Sequence, residues 1–511
     1  MFTMNFTQFN HIVTRRGLLK TALATALFSV SLTSCSEEEL LNPTPLTSLA
    51  DVEAFANPDR VLAQVNGLYS SIKSGQFLGG RYLIYIDVRG EEFLNITNNG
   101  VTALSAWNHT ENSGSNEPTN LWNAAYLAIN RINLFLVGLD ANPSVIDAAL
   151  ANQYRGEARL LRALAYHQMV QLYAQPFTKD NGASPGLPLR IKGEVGTGNN
   201  DLARSTVAEV YQQILEDLNF AEQNLPASYA NATLNTTRVH KNTAIALKTR
   251  VYLAMGQWAN VVTEANKIVS TAAPFRASSG VAHQLQADVR TTFTNYTTTE
   301  SIFSLPMSSN DLPGTQNSLG SYYLPQIGLG DFSLNPNGII GNAAFAAADA
   351  RRAFVKNDWP GDARGGQQLS RLNKFPTGPQ HTDWVPVIRY AEVLLNLAEA
   401  KARVATAGID EQALALLNAV RGRSNAAGVY TASAFANGAA LVNAILLERR
   451  IEFLGEGLRS NDLLRTNQPL PEKGGVQSAP RIQAVPATAS VYIWPIPQTE
   501  LNVNKAIVQN P

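Results

Sequence analysis

The chain has one cysteine, Cys35, in 511 residues. A single thiol excludes an intramolecular disulfide and any zinc site built from cysteines. Net charge is lacking too: 40 basic and 40 acidic side chains cancel, leaving no overall field to gather nucleic acid or hold an anionic membrane. Catalytic signatures are missing as well. There is no glycine-rich phosphate loop ahead of a basic helix, no H-E-x-x-H, no G-x-S-x-G elbow and no calcium-binding loop. Six histidines are scattered, and His109, His240 and His381 have no second histidine at ligand spacing, so they read as surface or satisfied core residues. Neither a metal nor a cofactor is expected. What the chain does have is 45% hydrophobic and 16% charged residues, enough to bury one large core or two, unlike a disordered protein.

Residues 1–34 read as an export signal. Arg15 and Arg16 precede an apolar run over 17–32, which is shorter than the about 20 residues a bilayer-spanning helix needs. The run ends in Leu32, Thr33, Ser34 and Cys35, a match to the bacterial lipobox, in which the cysteine is acylated and becomes the first mature residue. Residues 14–20 also match a twin-arginine pattern, so two export routes fit. Residues 35–50 then form a lipidated start and tether, with Ser36, Glu37, Glu38 and Glu39 followed by the non-helical stretch Asn42, Pro43, Thr44 and Pro45.

Helical periodicity dominates from there. Asn57 and Pro58 suit a helix start, followed at three- and four-residue steps by Val61, Val65, Leu68 and Ile72. Residues 74–118 read as loop-rich. Further helices carry Trp122, Tyr126 and Ile129, then Leu161, Ala165 and Met169, then a capping box at Thr206 and Glu209 ahead of Val210, Ile214 and Leu218. Over 242–269 two helical patterns meet at Met255, Gly256, Gln257 and Trp258, a turn that fits only an antiparallel hairpin, and Leu247, Tyr252, Gly256 and Ala265 follow the small-and-large pattern of a tetratricopeptide repeat. The pairing returns at 389–403 with 410–423. Between 271 and 386 apolar runs are short and Thr, Ser, Asn, Gly and Pro are common; a loop region that long is usually functional or disordered. The fold expected is mainly α, with tetratricopeptide-like hairpins forming a right-handed scaffold (51–270 and 387–511) and a loop-rich second part (271–386) packed on it.

The stretch 441–465 sets charges of both signs on an amphipathic helix and its exit. Glu448, Arg449, Arg450, Glu452, Glu456, Gly457, Arg459, Asp462, Leu463 and Arg465 resemble the C-terminal signature of the SusD/RagB family. Gly455 stands where that family usually has an aromatic, and Ser460 and Asn461 replace a bulky pair. Other matches to the family are Gly156, Glu157, Ala158, Arg159, Leu161, Arg162, Ala163 and Tyr166, Asp349 with Arg351, Lys374 with Phe375, the stretch 387–400, and Trp494 through Pro497. The resemblance spans 35–511 and implies an outer-membrane lipoprotein held by Cys35. The acids after Cys35 resemble the family's signal for the outer face. The resemblance also implies a nutrient-capture role, most often for a glycan, with delivery to a TonB-dependent SusC-like transporter and no catalysis.

Sugar rings present C–H faces that stack on aromatics while their hydroxyls seek amides. Trp107, beside Asn108, His109 and Asn112, lies in the loop where the family often places a binding tryptophan, so Trp107 and Asn112 are the first candidates for glycan binding. Tyr322 and Tyr323, after Gln316 and Asn317, are the second. Trp122, Trp258, Trp384 and Trp494 read as core, and an open aromatic platform is expected. Two rivals differ in what they require. A helical envelope scaffold needs no exposed loop aromatics, and a glycoside hydrolase needs facing acids, for which Glu91 and Glu92 are the nearest offer.

Overall fold

Helix α1 (Pro58–Ile72) starts where its sequence dictates, with Pro58 at the first turn and the Asn57 side chain accepting the Arg60 N–H. The computed structural model describes residues 53–510 apart from 197, 199, 326, 327, 358, 360, 379 and 380. The export signal, Cys35 and the tether to residue 50 lie outside the described residues. Asn57–Pro511 forms one compact unit.

After α1 come two short helices, α2 (Arg81–Val88) and α3 (Leu104–Asn108), then the long pair α4 (Asn116–Ala141) and α5 (Ala148–Tyr173). Helix α6 (Val207–Asn224) opens on the capping box, in which Thr206 and Glu209 satisfy each other's backbone N–H groups. Helices α7 (Lys241–Ala254) and α8 (Trp258–Ala265) form the hairpin read from the sequence, with Gly256 at φ +70° in the turn. Each helix packs on the next in a continuous row: α1 on α4, α4 on α5, α5 on α6, α6 on α7, and α7 on α8. The row continues through α10 (Tyr390–Val404), against which α8, α11 (Glu411–Ser424) and α12 (Gly438–Glu452) all pack. Stacked hairpins of this kind bury a core no single hairpin could bury alone.

Four two-stranded antiparallel sheets occur among the described residues, and two of them position the site: β1 (Phe93–Asn95) with β3 (Phe332–Leu334), and β2 (Ser301–Leu305) with β4 (Val385–Arg389), with α9 (Leu319–Tyr323) packed on β3. Strand β4 runs straight into α10, so the β2–β4 pairing ties the middle of the chain to the helical row. Residues 74–118 depart from the loop-rich expectation. Helix α2 lies there with all eight residues buried, packed by α3, α9, β1 and α13 (Arg459–Arg465). A helix buried on every side carries no amphipathic period, so R-Y-L-I-Y-I-D-V gives periodicity nothing to detect.

The scattered charged motifs meet inside. Arg351 is held by Asp349 (2.7 Å), Glu448 (2.6 Å) and Glu452 (2.9 Å), and Lys374 by Glu456 (2.8 Å). Arg423 reaches Glu300 (2.9 Å) and Glu452 (2.6 Å), and Arg421 reaches Glu448 (2.8 Å). Burial alone would raise the Glu456 carboxyl, but Arg389 and Lys374 outweigh it and hold the pKa below the usual carboxylate range. Gly455 sits in this region at φ +82°, where a Cβ would meet Leu372 Cδ2 at 2.2 Å. An aromatic at that position would require Leu372 to move.

Candidate functional site

A cavity of about 440 Å³ opens in the loop-rich part, lined by Thr102, residues 312–316, Ser321, Tyr322, Gly328, Leu329, Asp331 and His381. Buried cations fix its walls. Arg81, on α2, donates from Nε to Asn317 Oδ1 at 2.6 Å, and Asn317 Nδ2 donates to the Pro313 carbonyl at 2.9 Å, which sets the 313–317 loop. Close approach is possible because Gly75 and Gly80 lack side chains: a Cβ would lie 1.9 Å from the Pro313 carbonyl oxygen or 1.8 Å from that of Asn317. On the other side Arg371, paired with Asp362 at 2.7 Å, donates to the Gly330 (2.6 Å) and Phe332 (3.0 Å) carbonyls and fixes the floor. The Asp331 carboxylate accepts the Thr97 hydroxyl, and the Ile96 N–H donates to the Asp331 carbonyl at 2.9 Å.

Two polar atoms in this lining have no hydrogen-bond partner among the described residues. The Tyr322 hydroxyl and His381 Nδ1 are both buried and unpaired. Burial pushes the Tyr322 phenol well up, so it stays protonated, and lowers His381 against the opposing pull of Asp383. A buried polar group without a partner costs about 1–3 kcal/mol, so such groups call for an explanation. The backbone is unusual at the same place. Of ten non-glycine residues with positive φ among the described residues, Gln316 (59°) and His381 (48°) line the cavity, and Ala103 (65°) adjoins the lining residue Thr102. Side chains held in sparsely populated backbone regions cluster at ligand clamps.

The sequence candidates fare unequally. Trp107 is fully buried: its indole N–H donates to the Phe93 carbonyl at 2.8 Å, and Lys473 Nζ lies 5.6 Å from its ring centroid. It is therefore core, not a stacking surface, because the loop that carries it folds as α3 against α2 and β1. Tyr323 is buried as well, its ring 5.0 Å from Phe93, so Trp107 and Tyr323 meet the same residue inside the protein. Asn112 is exposed, but its Oδ1 accepts the Gly114 N–H at 2.9 Å in a local turn, and it is not part of the cavity lining. Tyr322 alone of the four reaches the cavity. The open aromatic platform is also corrected, since no described Trp, Tyr or Phe is exposed. Trp122 and Trp494 are buried as expected; Trp258 and Trp384 are only partly so, with Trp384 stacked on Tyr296 at 5.2 Å and Trp258 under Arg403 at 4.6 Å.

Sequence reasoning missed Asp331, Thr102 and the cavity role of His381. The one local signal was the L-P-G-T-Q-N turn at 312–317. Glu91 and Glu92 do not face each other across a cleft. Arg459 holds Glu91 (2.5 Å) and Arg450 holds both (2.8 and 2.7 Å), which makes the pair structural. A second, larger groove of about 1170 Å³ runs between α10, α12, α13 and residues 466–471, with Trp258 in its wall. No group of three or more His, Cys, Asp or Glu at metal-binding geometry occurs among the described residues.

Comparison with known proteins places this architecture. A family model described as the SusD family matches residues 370–511, and one described as starch-binding associating with outer membrane matches residues 83–253. A SusD superfamily protein from Bacteroides fragilis is 34% identical and superposes with a TM-score of 0.77, over 89% of this chain and 99% of its own. SusD-like protein P38 from Formosa agariphila is 22% identical over 94% of this chain and 96% of its own. A structure described as a laminarin binding SusD-like protein is 22% identical with a TM-score of 0.66, covering 89% of this chain and 99% of its own.

Proposed function

This chain belongs to the SusD/RagB family, and from that premise we propose that it captures oligosaccharides at the cell surface and delivers them to a TonB-dependent SusC-like transporter. A SusD-like carbohydrate-binding role is supported by the two family models and by the laminarin-binding relative. The observation that carries the reading is the 440 Å³ cavity, in whose lining the Tyr322 hydroxyl and His381 Nδ1 have no hydrogen-bond partner among the described residues, a partner that a sugar hydroxyl would supply. Binding and release need no chemistry, and the role is that of a binding protein rather than an enzyme. Cys35, lipidated and left as the first residue once the signal is removed, anchors the chain to the outer membrane with the cavity presented outward. Asn112 remains accessible to contribute a peripheral hydrogen bond through its amide N–H groups.

A glycan array on the soluble chain begun after Cys35 tests this. Retention of oligosaccharides, lost on occluding the cavity, supports the reading; retention of none refutes it. A second reading, a helical scaffold for envelope proteins, draws on the 1170 Å³ groove and on the lack of exposed aromatics among the described residues. The same array separates the two, because a scaffold retains no glycan.

A further inference from the structure

The cavity is graded from rim to floor. Leu312 and Leu329 at its rim are 42% and 53% exposed, while Tyr322 and Asp331 at its floor are each 1% exposed. Its 440 Å³ lies toward the small end of the range of about 300–1,000 Å³ in which pockets enclose ligands of drug size. That is room for about one or two sugar rings. A chain lying flat across a protein draws on stacking surfaces at successive rings, and Tyr322 is the one aromatic among the described residues that line this cavity.

Charge narrows the ligand further. Neither lysine nor arginine is among the described lining residues, and Arg81 and Arg371 behind the walls are committed to Asn317, Asp362 and backbone carbonyls. The one lining carboxylate, Asp331, would face an incoming anion. A uronate or sulfate entering here would lose water and gain no counter-charge, which is strongly unfavourable. Leu312, Pro313 and Leu329 offer aliphatic surface to C–H faces, while Tyr322, His381 and Gln316 offer polar atoms to hydroxyls.

We infer that the cavity receives the terminal one or two rings of an uncharged glycan, end-on, rather than the flank of a long chain. This inference rests on the carbohydrate-binding reading. It also assigns Tyr322 a direct contact. The hydroxyl has no partner among the described residues, so removing it alone costs the fold little and costs the ligand a hydrogen bond.

The test uses the soluble chain begun after Cys35 on an array of linear oligosaccharides, half neutral and half carrying uronate or sulfate, followed by competition in solution. The expected binders are neutral, and the terminal disaccharide cut from the best binder competes within about tenfold of the full chain. Tyr322→Phe weakens binding about tenfold and leaves the melting temperature unchanged or higher. A strongest binder that is anionic, a terminal disaccharide more than about a hundredfold weaker than the chain, or unchanged affinity in Tyr322→Phe each overturns the inference while leaving a carbohydrate role standing. Retention of no glycan at all overturns both.

Discussion

Arg389 grips Glu456 with two parallel hydrogen bonds, Nε to Oε2 at 2.7 Å and Nη2 to Oε1 at 2.8 Å, both side chains buried. The pair joins the start of α10 to the exit of α12, and through Glu300 and Glu452 it reaches β2 and α11. Truncating one member of such a pair strands the other's charge, at about 3–5 kcal/mol. Arg389→Ala is expected to lose about that much in denaturant unfolding. Arg459→Ala, which leaves buried Glu91 with Arg450 as its one remaining cation, is expected to be destabilised in the same direction by a smaller amount. Wild-type stability with loss of glycan binding in either variant would make the cluster a ligand site instead.

Trp107 has the opposite role to the one its sequence neighbourhood implies. Removing a fully buried indole leaves a cavity and an unpaired Phe93 carbonyl, so Trp107→Ala is expected to lose about 3–5 kcal/mol of stability. Melting curves check this directly. A stable variant with selectively weakened sugar binding would return Trp107 to the surface.

Stability is expected to fall on acidification. Burial pushes His167 and His240 down to about 3 and His283 to about 4, with His109 lower still beside Lys473 and Arg89. The unfolded chain takes up protons near pH 6.5 and the folded chain does not, so this contribution is complete above about pH 6.5 and shrinks as pH drops through it. Asp87 acts the other way. Burial raises it to about 8 against the Gly457 N–H, so the folded chain keeps a proton that the unfolded chain releases above about pH 4, and this contribution shrinks as pH rises from there to 8. Four histidines outweigh one aspartate below pH 6.5, so the melting temperature is expected to peak around neutrality and fall steeply toward pH 5. A flat profile from pH 5 to 7 would contradict these assignments.

Acylation of Cys35 predicts a simple fractionation result. Several acyl chains on one residue anchor stably, where one holds weakly. Cys35→Ser is expected to move the protein from the membrane pellet to soluble fractions. Pelleting of that variant with the outer membrane, together with no fatty-acid label on the parent, would rule the anchor out.

The helical row was legible because each of its helices announces itself locally, as Asn57 with Pro58 and Thr206 with Glu209 do at two starts. The charged motifs were legible as motifs but not as one assembly, because Asp349, Lys374, Arg389 and Glu456 meet only through tertiary packing. The site was largely hidden. Trp107 and Tyr323 sit among polar neighbours in sequence, yet α2, whose uniform burial leaves no period, packs against the helices that carry them and shuts both inside. Tyr322 was found and its neighbour on the same helix was misplaced, since adjacent residues on a short helix point in different directions and only packing decides which meets the cavity. His381 is distant in sequence from the tyrosines, and Asp331, eight residues after Tyr323, lies in a stretch with no pattern that marks it.

The central claim is that sugars bind in the cavity between residues 312–316 and Leu329. Thr315, exposed at its edge, can be enlarged without touching the core. Titration calorimetry of the best array ligand against wild type and Thr315→Trp is the most direct test. The expected result is loss of binding in the variant with an unchanged melting temperature. Equal affinity in the two proteins would place the sugar elsewhere and contradict the account.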